Sequence, residues 1–464
     1  MIFFNRLILT AFLIVMLCFI FGESLSFAGE HYVSTSGTAS WNDSTNINTP
    51  CSGSTAFDNA QAGDIVYFRE GTYKPEDDVS AAWTSKGIPD KWEIAYWSPS
   101  NSGINGSPIT FQAYDNETVT LISDDSVSSA PIGSNSQHYI VFDGFSGNKE
   151  NAMQMVTVRS GNNIIVQNCI FGGYDQGAIG TQNIIIQYYN SDNSKIINCK
   201  ISDSMGGGDN NSGIQMYYCD NVEIYNNTIS NCYTGVYDKR ENKNISVYKN
   251  IFLNNLISWY FQPKYASTPR VGIKVYQNLF IETPGEHISF VAAGDVGGTC
   301  PGVKIYNNTF YSTGKKGVII DPNGGKGITD LEFYNNIIVV GTTGIYVWLP
   351  NGLTTTIFNY NCYYDGADLG YSYTTIYNNI TDWQNNTGYD NNSIIANPLF
   401  VKAGGLEFVD YKLKDNSPCK GTGKDGKDIG AYPNGDDGTI IGYVETGKKE
   451  VPDVVAPPEN PRIQ

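Results

Sequence analysis

Basic residues are scarce in this chain. Its 464 residues hold 29 Lys and Arg against 46 Asp and Glu, a formal net charge of −17, and only 16% of the residues are charged. That deficit argues against a nucleic-acid backbone or an anionic membrane surface as the main partner, since either asks for a basic face. An anionic ligand would need a local basic patch or a bound cation. Histidine is scarcer still, with only His31, His138 and His287, and the cysteines form no CxxC pair and no Cys/His cluster at zinc spacing. A zinc site is therefore disfavoured. No long apolar run follows residue 21, so no membrane insertion of the later chain is expected.

What the chain has in quantity is glycine, 49 residues, and tyrosine, 32, within a hydrophobic share of 41%. This is the composition of a folded, turn-rich chain, neither a disordered polyampholyte nor a helical bundle. The first residues read separately. Arg6 precedes an apolar run over residues 7–21, and Ser26-Phe27-Ala28 places small residues where a signal peptidase reads. A signal peptide over residues 1–28, cut after Ala28, is expected, and with it a secreted, cell-surface or periplasmic protein. Export permits disulfides, and the even count of Cys51, Cys169, Cys199, Cys219, Cys232, Cys300, Cys362 and Cys419 allows complete pairing.

One short pattern returns from residue 160 onward. It reads Val166-Gln-Asn-Cys169-Ile-Phe171, Ile196-Ile-Asn-Cys199-Lys-Ile201, Ile224-Tyr-Asn-Asn227-Thr-Ile229 and Val247-Tyr-Lys-Asn250-Ile-Phe252, then Val275-Tyr-Gln-Asn278-Leu-Phe280, Ile305-Tyr-Asn-Asn308-Thr-Phe310, Phe333-Tyr-Asn-Asn336-Ile-Ile338 and Phe358-Asn-Tyr-Asn361-Cys-Tyr363. The fourth positions lie 23 to 30 residues apart, the period of a solenoid in which each copy is one coil. The strand before the Asn alternates, with Val303 and Ile305 facing inward, and a second short strand follows about ten residues later, as in Gly235-Val236-Tyr237. Short strands separated by Asn- and Gly-rich bends, without amphipathic helices, describe an all-β, single-stranded right-handed parallel β-helix with an N-terminal cap. The recurrent Asn reads as a structural bend residue that takes left-handed geometry and hydrogen-bonds the backbone of neighbouring turns. Cys169 and Cys199, in the same slot, read as buried small residues whose parallel Cβ vectors suit a disulfide poorly.

The repeat, the opening His31-Tyr-Val-Ser-Thr-Ser-Gly37, the phrases Ala62-Gly-Asp-Ile-Val-Tyr-Phe-Arg-Glu-Gly-Thr-Tyr73 and Pro108-Ile-Thr-Phe-Gln-Ala-Tyr114, and the ending Asn397-Pro-Leu-Phe400 to Asp428-Ile-Gly-Ala-Tyr432 resemble secreted right-handed parallel β-helix proteins of the pectate-lyase-like superfamily. The resemblance covers about residues 30 to 435 and implies the fold, not a reaction. It implies the N-terminal cap and first coils over 29–104, with a capping segment near residues 55–61, the β-helix over 105–435, and a tail or linker over 436–464. Superfamily members are mostly polysaccharide lyases, hydrolases, epimerases or adhesive stalks. The Gly-His-Gly of polygalacturonases, the Arg-x-Pro-x-x-Arg of pectate lyases, an Asp-rich calcium cluster and the Glu-x-Glu of chondroitinase B-like alginate lyases are not evident, so no catalytic set carries over.

One outlier stands on the second strands. Aligning Val236 with Ile288, Val318 and Ile345 puts Lys239 where other coils carry Val291, Asp321 and Trp348, inside the charged run Asp238-Lys239-Arg240-Glu241. A lyase acting on a uronic acid must neutralise the carboxylate beside C5 and remove the C5 proton. Lys239 as base and Arg240 as carboxylate clamp would meet that need, with Asp209, Asp238 and Glu241 as oxygen ligands for calcium and Tyr217, Tyr237, Gln262 and Trp348 as contacts to the sugars. The bland reading of the run is a solvated turn between strands. Asp238 resists it, because its slot elsewhere holds Phe290, Ile320 or Val347: either the strand ends early or a carboxylate approaches the core and is paired. Two functions follow: a monomeric, secreted, carbohydrate-active lyase of a uronate polysaccharide, or a noncatalytic extracellular β-helix that binds glycan or spaces another module.

Overall fold

The computed structural model describes residues 28–79, 95–123, 130–149, 154–173, 183–205, 210–262, 270–290, 300–313, 316–319, 328–341, 345–349, 355–366, 368–372 and 375–433. Three long parallel sheets wrap one core. Sheet one stacks twelve strands in chain order from Glu30–Val33 to Thr355–Asn359, and sheet two stacks twelve from Gly71–Tyr73 to Ile394–Ile395. Sheet three has eight strands, Ala95–Trp97 to Glu286–Phe290. A four-stranded sheet beginning at Lys316–Ile319 follows, and its last pair, Asp368–Ser372 with Thr375–Tyr377, is antiparallel. A coil therefore runs from sheet one to sheet two to sheet three, as in Lys195–Ile197, Lys200–Ser204 and Ser212–Tyr217.

The alternation in the sequence sets the register. Val166, Ile196, Ile224, Val247, Val275, Ile305 and Phe333 line up in sheet one, each with zero exposure. In sheet two, Phe252, Phe280 and Phe310 stack with ring centroids 4.7 Å apart, close to the spacing that backbone hydrogen bonds impose between parallel strands. On the outside of sheet one, Tyr225, Tyr248, Tyr276, Tyr306 and Tyr334 form a second stack at 4.8 to 5.2 Å, closed by the Lys424 ammonium 4.5 Å from the Tyr334 ring centre.

The left-handed bend residue is the one before the recurrent Asn, not the Asn itself. Asn198, Asn226, Asn307 and Asn335 have φ between 50° and 56°, and even Lys249 and Gln277 adopt this conformation. The bend turns the following side chain into the core, where it becomes a rung. Asn308 Nδ2 donates to Val275 O at 2.9 Å and to Asn336 Oδ1 at 3.1 Å, while its Oδ1 accepts from the backbone N–H of Asn278 at 3.0 Å. Asn227, Asn250, Asn278, Asn336 and Asn361 repeat the pattern with zero exposure, so the ladder satisfies backbone groups that the corner would orphan. It ends on Asp390, whose carboxylate accepts from Asn361, Ser393, Tyr363 and Trp383.

Both ends of the core are covered. The helix Gly53–Asn59, with Ser52 Oγ accepting from Thr55 N, lays Phe57 against Phe111 at 4.0 Å and beside Trp97. At the other end the helix Ile380–Thr387 lays the buried Trp383 beside Phe358 and Tyr389; the coil strands stop at Ile395, and residues 396–433 fold back over the outside of sheet two. Phe400, Phe408, Tyr411 and Ile429 there form one buried cluster with Ile251, Leu279, Ile281 and Ile337. The eight cysteines among the described residues are buried free thiols. Among the described residues no helix is long and apolar enough to cross a membrane.

Candidate functional site

The site is built on three consecutive strands of sheet three, Ser212–Tyr217, Thr234–Lys239 and Ile257–Gln262. Parallel pairing places Gln215 beside Tyr237 and Tyr260, and Tyr217 beside Lys239 and Gln262. Because side chains alternate across a strand, Val236 and Asp238 go inward and Tyr237 and Lys239 go outward. Four of the expected residues therefore meet on one face. The Lys239 ammonium lies 5.5 Å from the Tyr217 ring centre and 5.0 Å from that of Tyr237, and it donates to Asn210 Oδ1 at 2.9 Å. Tyr237 OH donates to Gln262 Oε1 at 2.6 Å and its ring packs against Tyr260 with centroids 4.9 Å apart. Burial pushes the Tyr217 hydroxyl up to about 12, against the opposing pull of the Arg240 charge, so it stays a neutral donor at physiological pH.

Asp238 does not join them, and its assignment as a calcium ligand is corrected. It has zero exposure, faces the interior, and pairs with Arg270, which also has zero exposure. Asn242 Nδ2 adds a bond to Asp238 Oδ1 at 2.6 Å, and Arg270 lies with its guanidinium 3.9 Å from the Phe261 ring centre. Asp238 is thus the paired carboxylate that its slot in the repeat implied. Asp209 lies outside the described residues, and Glu241 follows Arg240, which occupies a left-handed bend with φ 71°. Among the described residues no group of three or more His, Cys, Asp or Glu side chains comes together.

The alignment behind Trp348 also shifts. Val318 pairs with Val347, not Ile345, which puts Trp348 opposite Ile319. Sequence reasoning missed Arg270 and Asn210, which lie 32 and 29 residues from their partners. It also missed a row of amides on the same outer face: Gln154 Nε2 donates to Gln187 Oε1 at 2.7 Å, and Gln187 Nε2 donates to Gln215 Oε1 at 3.0 Å. The signal was present, since Gln187, Gln215 and Tyr237 occupy one register position in successive coils.

The family described as right handed beta helix region matches residues 185–359, and with the coil geometry it defines the protein as a right-handed parallel β-helix. No curated protein matches the chain in sequence. Among solved structures, the chain is similar to pectate lyase Pel9A at 13% identity and a TM-score of 0.45, covering 88% of this chain and 97% of that one. It is similar to XylC in complex with xylose at 12% identity and 0.45, covering 74% and 86%. A mannuronic acid specific polysaccharide family 6 lyase from human gut microbiota aligns at 13% identity and 0.41, covering 75% and 82%. Likeness at this level says nothing of the reaction.

Proposed function

We propose that this protein takes an acidic, uronate-containing polysaccharide along the outer face of sheet three and cleaves it by β-elimination around Lys239. The observation that carries the reading is the meeting of Lys239 with Tyr217, Tyr237 and Gln262 on adjacent coils of a chain with a net charge of −17. Coils stacked about 4.8 Å apart offer a linear polymer one row of contacts per strand. Tyr217 and Lys239 are the partly exposed members of the group, with Tyr237 and Gln262 buried beside them, so the Tyr217 ring supplies an apolar face for sugar C–H groups and the Lys239 side chain meets a carboxylate.

In β-elimination a base takes the C5 proton, the electrons form the C4=C5 bond, and the glycosidic oxygen leaves with a proton. Carboxylate neutralisation makes the C5 proton acidic enough to remove. Arg240, which stays a cation, is the group that neutralises the carboxylate, and Lys239, once its ammonium has given up a proton to solvent, is the base that takes the C5 proton. Tyr217, held neutral by burial, can protonate the leaving oxygen. Export to the cell surface, periplasm or medium belongs to the same proposal.

The test is the ultraviolet absorbance of the unsaturated product from alginate, pectate, chondroitin and mannuronan, with and without calcium. Product from one polymer that disappears in Lys239→Ala supports the reading. Binding without product from any polymer would leave a glycan-binding β-helix and sink the lyase.

A further inference from the structure

We infer that the buried pair Asp238 and Arg270, joined through Asn242, is a positioning device that holds from inside the coil the strand end carrying Lys239 on the outside. The inference rests on the reading of Lys239 as the substrate-facing cation. Register gives the first argument. The strands on either side carry Tyr217 and Gln262 at the outer position and have Met216 and Phe261 beside Asp238 within. Packing alone would place an apolar side chain between them. Two charges stand there instead, both at zero exposure.

Such a pair is a poor stabiliser. Removing each charge from water costs several kcal/mol, attraction returns part of it, and an apolar pair of similar volume is often as stable or more so. The hydrogen bonding is also incomplete, since Asp238 Oδ2 and Arg270 Nη1 have no partner. Stability of the coil therefore does not account for the pair, and geometry does.

Connectivity gives the second argument. Asn242 Nδ2 reaches Asp238 Oδ1 at 2.6 Å and the Lys239 carbonyl at 3.0 Å, while its own carbonyl accepts from Arg270 Nε at 3.0 Å. Its Oδ1 accepts from the Cys219 N–H of the preceding coil at 2.8 Å. The turn 239–242 is closed from beneath, across an Arg240 that sits at φ 71°, a conformation unfavourable for a side-chain-bearing residue. Fixing Asp238 inward fixes its neighbour outward, because successive residues of a strand face opposite ways. Asp238, Asn242 and Arg270 are positioning residues; all three have zero exposure.

The double variant Asp238→Leu/Arg270→Met tests this. It removes both charges together, so the melting temperature is expected within a few degrees of the parent or above it. Backbone amides of residues 240–243 are expected to exchange about tenfold faster. Affinity for a short oligouronate is expected to fall on the order of 10- to 100-fold, as for a displaced positioning contact. A purely structural pair would move the melting temperature and leave affinity alone. A folded double variant with parental exchange and parental affinity overturns the inference. Should it fail to fold, Asn242→Ser keeps the ion pair and cuts the tie to the Lys239 carbonyl; the same two losses are expected, and their absence overturns the inference equally. A parent that binds no oligouronate overturns the functional reading alone, and amide exchange then decides the brace: unchanged exchange in the variant refutes it.

Discussion

Replacing Asn308 by Leu, which has the same number of side-chain heavy atoms and no hydrogen-bonding groups, tests whether the ladder of carboxamides holds the coils together. Asn308 Nδ2 donates to Val275 O and Asn336 Oδ1, and its Oδ1 accepts from the backbone N–H and the side-chain amide of Asn278. The substitution orphans one backbone carbonyl and one backbone N–H at a corner with zero exposure. Each buried unsatisfied group costs about 1–3 kcal/mol, so a loss of about 2–6 kcal/mol follows. Asn308→Cys should cost less, because Cys199 fills the same slot with its Sγ 3.2 Å from Ile197 O. Coils of a solenoid open semi-independently, so the assay is amide exchange of the sheet-one strands Lys274–Tyr276, Lys304–Tyr306 and Leu331–Tyr334 together with urea unfolding. A loss under about 1 kcal/mol, the scale of an exposed substitution such as Lys200→Leu, would refute the ladder as a stabilising element.

Three further outcomes follow from buried groups. His287 is enclosed by Phe280 and Phe310 with both ring nitrogens unpartnered, and burial lowers its pKa to about 3. The unfolded state then binds the proton first, so stability is full above about pH 6.5 and declines as pH falls toward about 3; His287→Leu should flatten that part of the urea-midpoint curve, and an unchanged slope would contradict the assignment. Burial also raises the Asp390 carboxyl against four donors that favour its ionised form. Because its folded pKa lies above the unfolded one, its contribution is present below about pH 4 and is lost as pH rises through the folded value. Asp390→Asn would turn an amide toward two of those donors and should cost about 2–5 kcal/mol by urea unfolding, and an equal stability would show that the donors are not engaged. Asp238→Asn alone leaves the Arg270 charge buried and unpaired and should lower stability by about 3–5 kcal/mol, in contrast to the double variant.

The coil was legible because two periods coincide: alternation within a strand and a return every 23 to 30 residues. The same counting placed Lys239 with Tyr217, Tyr237 and Gln262, since parallel register converts equal spacing from the bend into contact. Where spacing varied it failed, and Trp348 moved two positions. The identity of the left-handed residue was off by one, because Asn occurs at both positions of the bend and only backbone geometry tells them apart. The Asp238 partner was not legible, since an ion pair 32 residues apart leaves no trace in local pattern. The sequence did mark the misfit, a carboxylate in an apolar column. The folding back of residues 396–433 over sheet two was hidden for a similar reason, as its apolar residues read equally well as one more coil.

The central claim is that the outer face of sheet three around Lys239 receives an acidic polysaccharide. Calorimetric titration with oligouronates and neutral oligosaccharides of equal length, for the parent and Lys239→Ala, tests it most directly. A charge-assisted contact contributes about 1.5–3 kcal/mol, so the account predicts oligouronate affinity on the order of 10- to 100-fold weaker in Lys239→Ala, lower at high salt, and little change for neutral sugars. Equal affinity of parent and variant for the oligouronates, or no discrimination between acidic and neutral chains, would contradict it.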